Sequence, residues 1–318
     1  MSGCPTMLLT AVLVYGLAGV AAQAQEFPAK PIRIVTSGAG GGNDFTSRLI
    51  AQGITAGLGQ PVIVDNRNTV VVPEIVMKAP ADGYTLLVLG SPFWVAPLLK
   101  KAPYDPIADF APLSLVGVSP AVLVVNPSLA VKTVRELIEI AKSKPGALNY
   151  ASTSPGASSH LAAELLKHMT GINLVHVPYK GSAASVNAVL SGEVQVCFIA
   201  ASNVVAHIAS GRLRGLAVTS LKPSALAPGL PTVASAGLPG YEIVAADAMF
   251  APPRTPAPVI RRLNEEINRY LSRPEITERF LQGGVEAVGG PPGNLAARMK
   301  ADTARLGKLI ADAGIQAD

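Results

Sequence analysis

The stretch that decides the fold reads Ile32-Arg33-Ile34-Val35-Thr36-Ser37-Gly38-Ala39-Gly40-Gly41-Gly42-Asn43-Asp44. A short apolar strand enters it, and a helical pattern leaves it with apolar residues on one face: Phe45, Leu49, Ile50 and Ile54. Glycines between the two let a ligand approach the backbone closely. The first turn of a helix also carries unpaired N–H groups and the positive end of the helix dipole. We therefore predict that this loop binds an anion, such as a carboxylate or phosphate.

Two nucleotide motifs that resemble this loop do not fit it. A dinucleotide fingerprint in this register would need a third glycine at position 43, which is Asn43. A phosphate-binding loop of the Walker type would need Gly-Lys-Ser or Gly-Lys-Thr, which the stretch lacks. Asp44 is predicted to support the loop from the helix start, with Arg48 one turn later as its partner.

A second loop occupies the same place in another strand–loop–helix unit. A strand over 148–152 leads into the loop Thr153 to Ser159, and a helix is predicted from His160 to Thr170. The hydroxyls of this loop are expected either to cap the helix or to contact a ligand, and the two roles are compatible. In open α/β sheets ligands bind beyond the carboxyl ends of strands, so the two loops are predicted to face each other across a cleft. The predicted ligand-binding residues are Ser37, Gly38, Ala39, Gly40, Gly41, Gly42, Asn43, Asp44, Ser152, Thr153, Ser154, Gly156, Ser158 and His160.

Composition sets the broad class of the protein. Apolar residues make up 49% of the 318 residues and charged residues 15%, which is typical of a globular chain and not of a disordered one. The net charge of +5 comes from scattered basic residues, so no nucleic-acid partner is expected. An uncharged apolar run from Met7 to Ala22 ends in Ala22-Gln23-Ala24. This pattern predicts a signal peptide over residues 1–24, a mature chain that starts near Gln25, and export to the periplasm.

Short apolar strands alternate with helical patterns along the middle of the chain. Strands are predicted over 61–66, 85–89, 121–126, 174–179, 194–200 and 213–219. Helices are predicted over 132–144 and 182–190, and a further helix follows the strand 194–200 and continues to Ile208. This alternation predicts parallel sheets covered by helices. The last stretch differs, because helical patterns over 257–270, 274–281 and 295–313 have few strands between them.

No residue pattern supports catalysis, a metal or a cofactor. His160, Glu164 and His168 share one helical face, but the outer pair is about 12 Å apart at 1.5 Å per residue, too far for three-residue chelation. Cys197 lies in an apolar strand and is expected to pack in the core. A nucleophile elbow of the Gly-x-Ser-x-Gly type is absent from the sequence. We predict no catalytic residue, no metal ligand and no cofactor.

Ordered motifs along the mature chain resemble the Bug family, the periplasmic solute receptors of tripartite tricarboxylate transporters. The motifs are Phe27-Pro28-x-Lys30-Pro31-Ile32-Arg33-Ile34-Val35, Gly40-Gly41-Gly42-x-Asp44-x-x-x-Arg48, Leu58-Gly59-Gln60-Pro61-Val62-x-Val64-Asp65-Asn66-Arg67, Ala79-x-Ala81-Asp82-Gly83-Tyr84-Thr85-Leu86-Leu87, His176-Val177-Pro178-Tyr179-Lys180-Gly181, Leu216-Ala217-Val218-Thr219-Ser220, Leu230-Pro231-Thr232-Val233 and Gly237-Leu238-Pro239-Gly240-Tyr241-Glu242. Each motif is weak alone, and their ordered sum carries the resemblance.

The resemblance implies an α/β, two-lobed periplasmic binding fold of type II. Each lobe would be a sheet flanked by helices, with a cleft between the lobes that closes by hinge motion. Lobe one would comprise residues 25–124 and 241–318, since the C-terminal helices would return to it, and lobe two residues 125–240. Family members typically hold a ligand carboxylate with the two loops described above, partly through ordered water.

Several positions depart from the family pattern. Many members have Pro-Phe-x-Pro where this chain has Thr36-Ser37-Gly38-Ala39, so an aromatic wall is missing on that side. A Trp often follows the Tyr-Glu motif, and the matching place here is near Ala246. Phe93 or Trp94 is a candidate for the aromatic surface instead. These departures bear on which ligand is bound more than on the class of protein.

The sequence therefore favours a monomeric, exported receptor that captures a small organic acid and delivers it to membrane transporter subunits. One alternative is a secreted α/β enzyme that acts on an anionic substrate, and another is a sensor that signals without transport.

Overall fold

The computed structural model describes residues 27–315, so the predicted signal peptide lies outside the described residues. The strands are β1 Ile32–Thr36, β2 Val62–Asn66, β3 Thr85–Gly90, β4 Ala111–Val125, β5 Leu148–Ser152, β6 Leu174–Pro178, β7 Val196–Ala200, β8 Arg214–Val218, β9 Val244–Ala251 and β10 Glu286–Ala287. The helices are α1 Gly42–Leu58, α2 Val72–Met77, α3 Pro92–Leu99, α4 Val134–Ser143, α5 Ser158–Thr170, α6 Ser182–Ser191, α7 Ala201–Ala209, α8 Ala257–Leu271, α9 Pro274–Gln282 and α10 Pro292–Ala313. Within this range no helix combines the length and apolar character that a membrane crossing requires.

The strands form two groups that share the long strand β4. The first group has the order β2-β1-β3-β9-β4, and the second has the order β4-β7-β5-β6, with β8 also paired to β4. The partners of β4 change between Pro120 and Ala121: its first part pairs with β9, and the part from Ala121 to Val125 pairs with β7 and β8. A single strand thus connects two sheets, each with its own helices.

The predicted parallel pairing is present in part of each sheet, and both sheets also contain antiparallel strands. Strands β1, β2 and β3 are parallel, as are β5, β6 and β7, but β9 is antiparallel to β3. Strand β4 is antiparallel to β7, β8 and β9. The predicted strand over 121–126 covers only the last third of β4, and β9 was not predicted. The first part of β4 and the whole of β9 were therefore missed. Both segments lie where the chain crosses between the two groups of strands, and there no alternation of strand and helix marks a strand.

Helix α1 is held against the first sheet by the apolar face that its sequence predicted. Leu49, Ile50 and Ile54 are buried, and burying such a side chain stabilises a fold by about 1.5–3 kcal/mol. On its other side α1 packs closely on α8, because a Cβ at Gly53 would lie 2.2 Å from the ring of Tyr270. This packing fixes the N-terminus of α1 at the carboxyl end of β1, next to the loop from Ser37 to Gly42, which we call the glycine loop.

The C-terminal helix α10 joins the two groups of strands on the side of α5. It packs on β4 and α3 and also reaches α5. Two of its arginines pair with Glu242 just before β9, Arg298 at 3.4 Å and Arg305 at 3.2 Å. Tyr241 is fully buried and donates its hydroxyl hydrogen to the carbonyl of Ala162 in α5 at 2.8 Å. This region is therefore packed and hydrogen-bonded rather than open.

Candidate functional site

The glycine loop lies at the carboxyl end of β1 and is largely exposed from Gly38 to Gly42. Gly40 has φ +84°, a conformation that L side chains rarely adopt. Helix α1 starts at Gly42 and, within the described chain, has no side-chain cap on its first-turn N–H groups. A Cβ at Gly38, Gly40 or Gly42 would meet nothing within 4 Å, so the backbone here is open to an approaching molecule.

Asp44 holds this loop through several hydrogen bonds and one ion pair. Its carboxylate accepts from the Gly40 N–H at 2.9 Å and from Asn66 Nδ2 at 2.9 Å, and it pairs with Arg48 Nε at 2.9 Å. Burial acts to raise the pKa of Asp44, but the hydrogen bonds from Arg48, Gly40 and Asn66 outweigh it and leave the pKa below its ordinary value. The predicted Asp44–Arg48 pair is therefore present, and Asp44 holds the loop through its hydrogen bond from the Gly40 N–H.

The loop from Thr153 to Ser159, which we call the serine loop, lies at the carboxyl end of β5 and is held in place by its own hydroxyls. Ser159 Oγ accepts the Thr153 N–H at 3.0 Å and lies 3.1 Å from Thr153 Oγ1. Ser152 is fully buried, donates to the Ser154 carbonyl at 3.2 Å and lies 2.7 Å from His176 Nε2. These bonds leave Thr153 and Ser158 as half-buried residues on the surface of the loop.

Helix α5 begins at Ser158, two residues earlier than predicted, and the predicted capping role of its serines is wrong. Its N-cap residue is Ala157, and within the described residues no side chain caps the helix. Ser159 lies inside the first turn and turns back to Thr153. By contrast, α4 has a full cap, in which Thr133 Oγ1 accepts the Glu136 N–H at 3.1 Å. The first turn of α5 thus resembles that of α1 in having uncapped N–H groups.

A stack of aromatic rings supports the serine loop from inside. His160 and His176 stack at 4.1 Å, and Tyr150 stacks on His176 at 4.9 Å. His160 Nδ1 accepts the Gly156 N–H at 2.9 Å, which requires an unprotonated Nδ1. Burial, followed by repulsion from His176, lowers the pKa of His160 to about 4. Both rings are therefore neutral supports at neutral pH, since burial also lowers the pKa of His176.

Glu164 anchors the same stack at its far end. The Tyr150 hydroxyl donates to Glu164 Oε1 at 2.7 Å, and Lys167 Nζ lies 2.7 Å from the same oxygen. Burial and the neighbouring Glu164 raise the pKa of Tyr150 above its ordinary range. Within the part of the chain that the structure describes, no group of three or more His, Cys, Asp or Glu side chains is placed to hold a metal ion.

Two adjoining cavities are lined by residues from both groups of strands and from the loops and helices attached to them. The larger, of about 350 Å³, lies between the serine loop, the start of α3 and α10, and its lining includes Ser91, Ser158 and Arg305. The other, of about 300 Å³, is lined by Thr153 and Ser158 on one side and by Ser119 and Ala245 on the other. Ser158 and Pro92 line both. The serine loop therefore faces the start of α3 most directly.

A third cavity of about 420 Å³ lies beside the glycine loop. Asn43 and Gly90 line it together with the aromatic rings of Phe93 and Tyr104. Phe93, which is buried, lines this cavity, whereas Trp94 lines none of the three and donates to Asp302 Oδ2 at 3.2 Å. Pro92 lines this cavity and the two others, so all three spaces meet at the start of α3.

The predicted site residues fall into three sets in the structure: residues that line the cavities, residues of the exposed loop, and residues that support the loops. Thr153, Ser154, Gly156, Ser158 and Asn43 line the cavities described above. Gly38 to Gly42 form the exposed loop. Ser37 and Asp44 support this loop, because Ser37 accepts hydrogen bonds from Asn43 and Asn66, and Asp44 accepts the Gly40 N–H. Ser152 and His160 are buried among loop-supporting contacts.

The sequence analysis missed several residues of the cavities. Ser91 and Pro92 follow β3, whose carboxyl end lies beside that of β1, and the same strand-end rule would have found them. Asp247 on β9 pairs with Gly90 but lines none of the three cavities. It was not predicted either, and its only signal is a single carboxylate within an apolar strand.

The comparisons with known proteins identify the family of the chain. The model of the tripartite tricarboxylate transporter family receptor matches residues 46–315. The chain belongs to this family. Among curated relatives, Protein BugT of Bordetella pertussis is 36% identical over 297 residues, which cover 90% of this chain and 91% of BugT. The predicted resemblance to the Bug family is therefore confirmed.

Solved structures of this family share the fold. Rpa4515 of R. palustris, solved with adipate, is 33% identical with a TM-score of 0.72, and the match covers 92% of this chain and 99% of that chain. The periplasmic binding protein BugD is 32% identical with a TM-score of 0.69, and the match covers 91% of this chain and 99% of BugD. The α/β, two-lobed periplasmic binding fold is thus confirmed. The family is one of solute-binding receptors and not of enzymes, which excludes the alternative of a secreted enzyme.

Proposed function

We propose that this receptor captures a small organic acid in a cleft between its two lobes, residues 25–124 with 241–318 and residues 125–240. The observation that carries the proposal is the pair of uncapped helix starts, at α1 after the glycine loop and at α5 after the serine loop. Helix N-termini favour anions through their unpaired N–H groups and the helix dipole. The cavities at Thr153, Ser158 and Ser91 supply hydroxyl donors that suit a carboxylate.

The glycine loop and the serine loop are proposed as the two halves of the ligand clamp. Asp44 and the His160–His176 stack hold the loops from behind and so act as positioning groups. The adipate of Rpa4515 supports a carboxylate as the ligand class in a related protein. In the proposed role the mature chain begins near Gln25, acts in the periplasm as a monomer and passes its ligand to membrane subunits of a tripartite tricarboxylate-type transporter.

A thermal-shift panel tests the ligand class. The mature chain is mixed with saturated mono-, di- and tricarboxylic acids, with their amides and with amino acids, and calorimetry then confirms each positive result. We expect at least one carboxylic acid to raise the unfolding temperature, because a ligand that binds only the folded state stabilises it by mass action. The proposal is overturned if the folded chain responds to no acid of the panel.

Transport is tested separately from binding. Deletion of the receptor gene in its host should abolish uptake of the acid found by the panel, and the wild-type gene should restore uptake. Uptake that persists without the receptor would contradict the transport role and would leave a sensor as the function of the bound protein.

A further inference from the structure

The cavity of about 420 Å³ beside the glycine loop opens at the carboxyl ends of three neighbouring parallel strands. Asn43 follows β1, Val70 follows β2 and Gly90 ends β3, and all three residues line the cavity. Strand ends of this kind are where open α/β sheets bind ligands. The volume lies within the range of about 300–1,000 Å³ that is usual for small-molecule sites. The cavity therefore has the position and the size of a ligand site.

The wall of this cavity is mainly apolar. Apolar side chains reach it from the segment after β2, from β3, from α3 and from the segment after α3, and they include Val70, Pro73, Leu89, Phe93, Ala96 and Ala102. Val70 is 78% exposed, so a ligand in the cavity would cover apolar surface that is otherwise in contact with water. Removing such surface from water favours binding in proportion to its area.

The rings of Phe93 and Tyr104 give this wall an aromatic part. The two rings stack with their centroids 5.1 Å apart and their planes inclined by 17°. Both residues line the cavity, and burial raises the pKa of the Tyr104 phenol, as expected for a group that is withdrawn from water. A ring or an alkyl chain of a ligand can pack against such a pair.

The polar groups inside the cavity already have partners within the protein. The Tyr104 hydroxyl donates to the carbonyl of Phe93 at 3.0 Å, and Asn43 Nδ2 donates to Ser37 Oγ at 3.1 Å. A hydroxyl group or a second carboxylate on the body of a ligand would lose its water here without gaining these donors. Such a loss is costly, and most costly for a charged group. The interior therefore selects against polar substituents.

The charges at the cavity suit an acid whose charge stays at its edge. Lys100 and Lys101 line the cavity and are exposed, and no acidic residue is among the described residues that line it. Exposed ammonium groups attract anions towards the opening, and the stems of the two lysines add apolar wall. Asn43 lies in the first turn of α1, whose N–H groups have no side-chain cap within the described chain. A carboxylate at that helix start would leave the rest of the molecule beside the cavity.

We propose that the solute is a monocarboxylic acid with an apolar body, and that this body occupies the cavity between Val70 and Tyr104. The carboxylate then lies at the start of α1, next to Asn43, and the body carries neither a hydroxyl group nor a second carboxylate. The inference rests on the proposed function, because the glycine loop must hold the carboxylate of the same molecule.

The test compares acids that differ in the polarity of their bodies. Calorimetry measures the affinity of the mature chain for hexanoate, benzoate and cyclohexanecarboxylate, and for adipate and citrate. Hexanoate and adipate have the same six carbons and differ in one carboxylate. We expect at least one of the three apolar acids to bind at least about tenfold more tightly than adipate and citrate.

The failure of the inference is distinguishable from the failure of the proposed function. Adipate or citrate that binds as tightly as every apolar acid would overturn the inference and uphold the proposed function. Binding of no acid would overturn both.

Two substitutions address the cavity directly. Ala102→Leu adds a larger side chain to the half-buried wall and should weaken binding of the apolar acid at least about tenfold. Val70→Asp places a carboxylate at an exposed position of the wall and should weaken binding at least about threefold through repulsion and lost apolar surface. Circular dichroism checks that each variant is folded, and the exposed position of Val70 makes Val70→Asp the safer of the two.

Ala108→Leu is the matched control for Ala102→Leu. Ala108 is exposed six residues later in the same segment and lines none of the three cavities, so its substitution should leave the affinity unchanged. Wild-type affinity in both folded cavity variants, or an equal loss in Ala102→Leu and Ala108→Leu, would contradict the inference.

Discussion

The glycine loop and the serine loop occupy equivalent places in the fold but are stabilised by different chemistry. Each follows a parallel strand, β1 or β5, and each opens an uncapped helix. The glycine loop is exposed and is held by a charged group, because Asp44 pairs with Arg48 and accepts the Gly40 N–H. The serine loop is held by neutral hydroxyls and by two stacked histidines, of which His160 is buried and His176 half-buried.

The difference shows that equivalent strand–loop–helix junctions can be stabilised by groups with opposite pH responses. A carboxylate with a lowered pKa stabilises its loop as long as it remains ionised. A histidine with a lowered pKa stabilises its loop as long as it remains neutral. Acid should therefore weaken the serine loop first and the glycine loop only at much lower pH.

The largest expected effect concerns His160. Its pKa is about 4 in the folded chain and close to 6.5 in the unfolded chain, so the unfolded chain binds more protons between these values. Stability is then complete above pH 6.5 and falls as the pH drops towards 4, by about 3 kcal/mol. Urea unfolding of the wild type and of His160→Gln at pH 7, 6 and 5 measures this loss.

In His160→Gln the part of the pH dependence that arises from residue 160 should disappear. His168→Gln is the matched control, because His168 is substantially more exposed on the same helix and lies 3.8 Å from Asp312. A pH dependence that is the same in the wild type and in His160→Gln would show that His160 does not support the loop as a neutral group.

The second effect concerns Asp44. Asp44→Asn should lower the free energy of unfolding by about 1.5–2 kcal/mol at pH 7, because hydrogen bonds to a charged group are lost. The folded pKa lies below 3.8, so the stabilisation is present above this value and is lost as the pH falls through the folded pKa. Glu74→Gln is the control, since Glu74 and Lys78 form an exposed ion pair with the same spacing along a helix.

The control should leave the urea midpoint unchanged, because exposed ion pairs contribute little. If Asp44→Asn and Glu74→Gln change the free energy of unfolding equally, the carboxylate of Asp44 does not hold the glycine loop. The contrast between a loop held by a charged group and a loop held by neutral groups would then be wrong.

The smallest effect separates two glycines of the same loop. Gly40→Ala should destabilise the chain by about 1 kcal/mol, since φ at Gly40 is +84°. Gly42→Ala should stabilise it by about 0.5 kcal/mol, because Gly42 lies at the start of α1 and a Cβ there would meet nothing within 4 Å. Thermal unfolding compares them. Equal effects of the two substitutions would show that backbone conformation does not distinguish the two positions.

Local patterns in the sequence predicted local structure well. The apolar face of α1 and the Asp44–Arg48 pair were both predicted, because the residues involved lie within a few turns of one another. The strand–loop–helix units at β1 and β5 were predicted from the same short-range signals. The ordered motifs also predicted the family, which the match over residues 46–315 confirms.

Non-local pairing was predicted poorly. Strand β9 contains four alanines among eight residues, so neither alternation nor a run of β-branched side chains marks it. Its partners β3 and β4 are far away in sequence, and only the folded sheet brings Asp247 beside Asn43 and Gly90. The burial of Ser152 and His160 was also not predictable, because it depends on their packing against His176 on the neighbouring strand β6.

The most direct test of the account is a crystal structure of the mature chain with the acid that the binding panel identifies. The account predicts one ligand molecule between the lobes. Its carboxylate should lie within hydrogen-bond distance of backbone N–H groups or hydroxyls of the glycine loop or the serine loop, directly or through one water molecule. A carboxylate bound away from both loops, with the protein folded as described, would contradict the account.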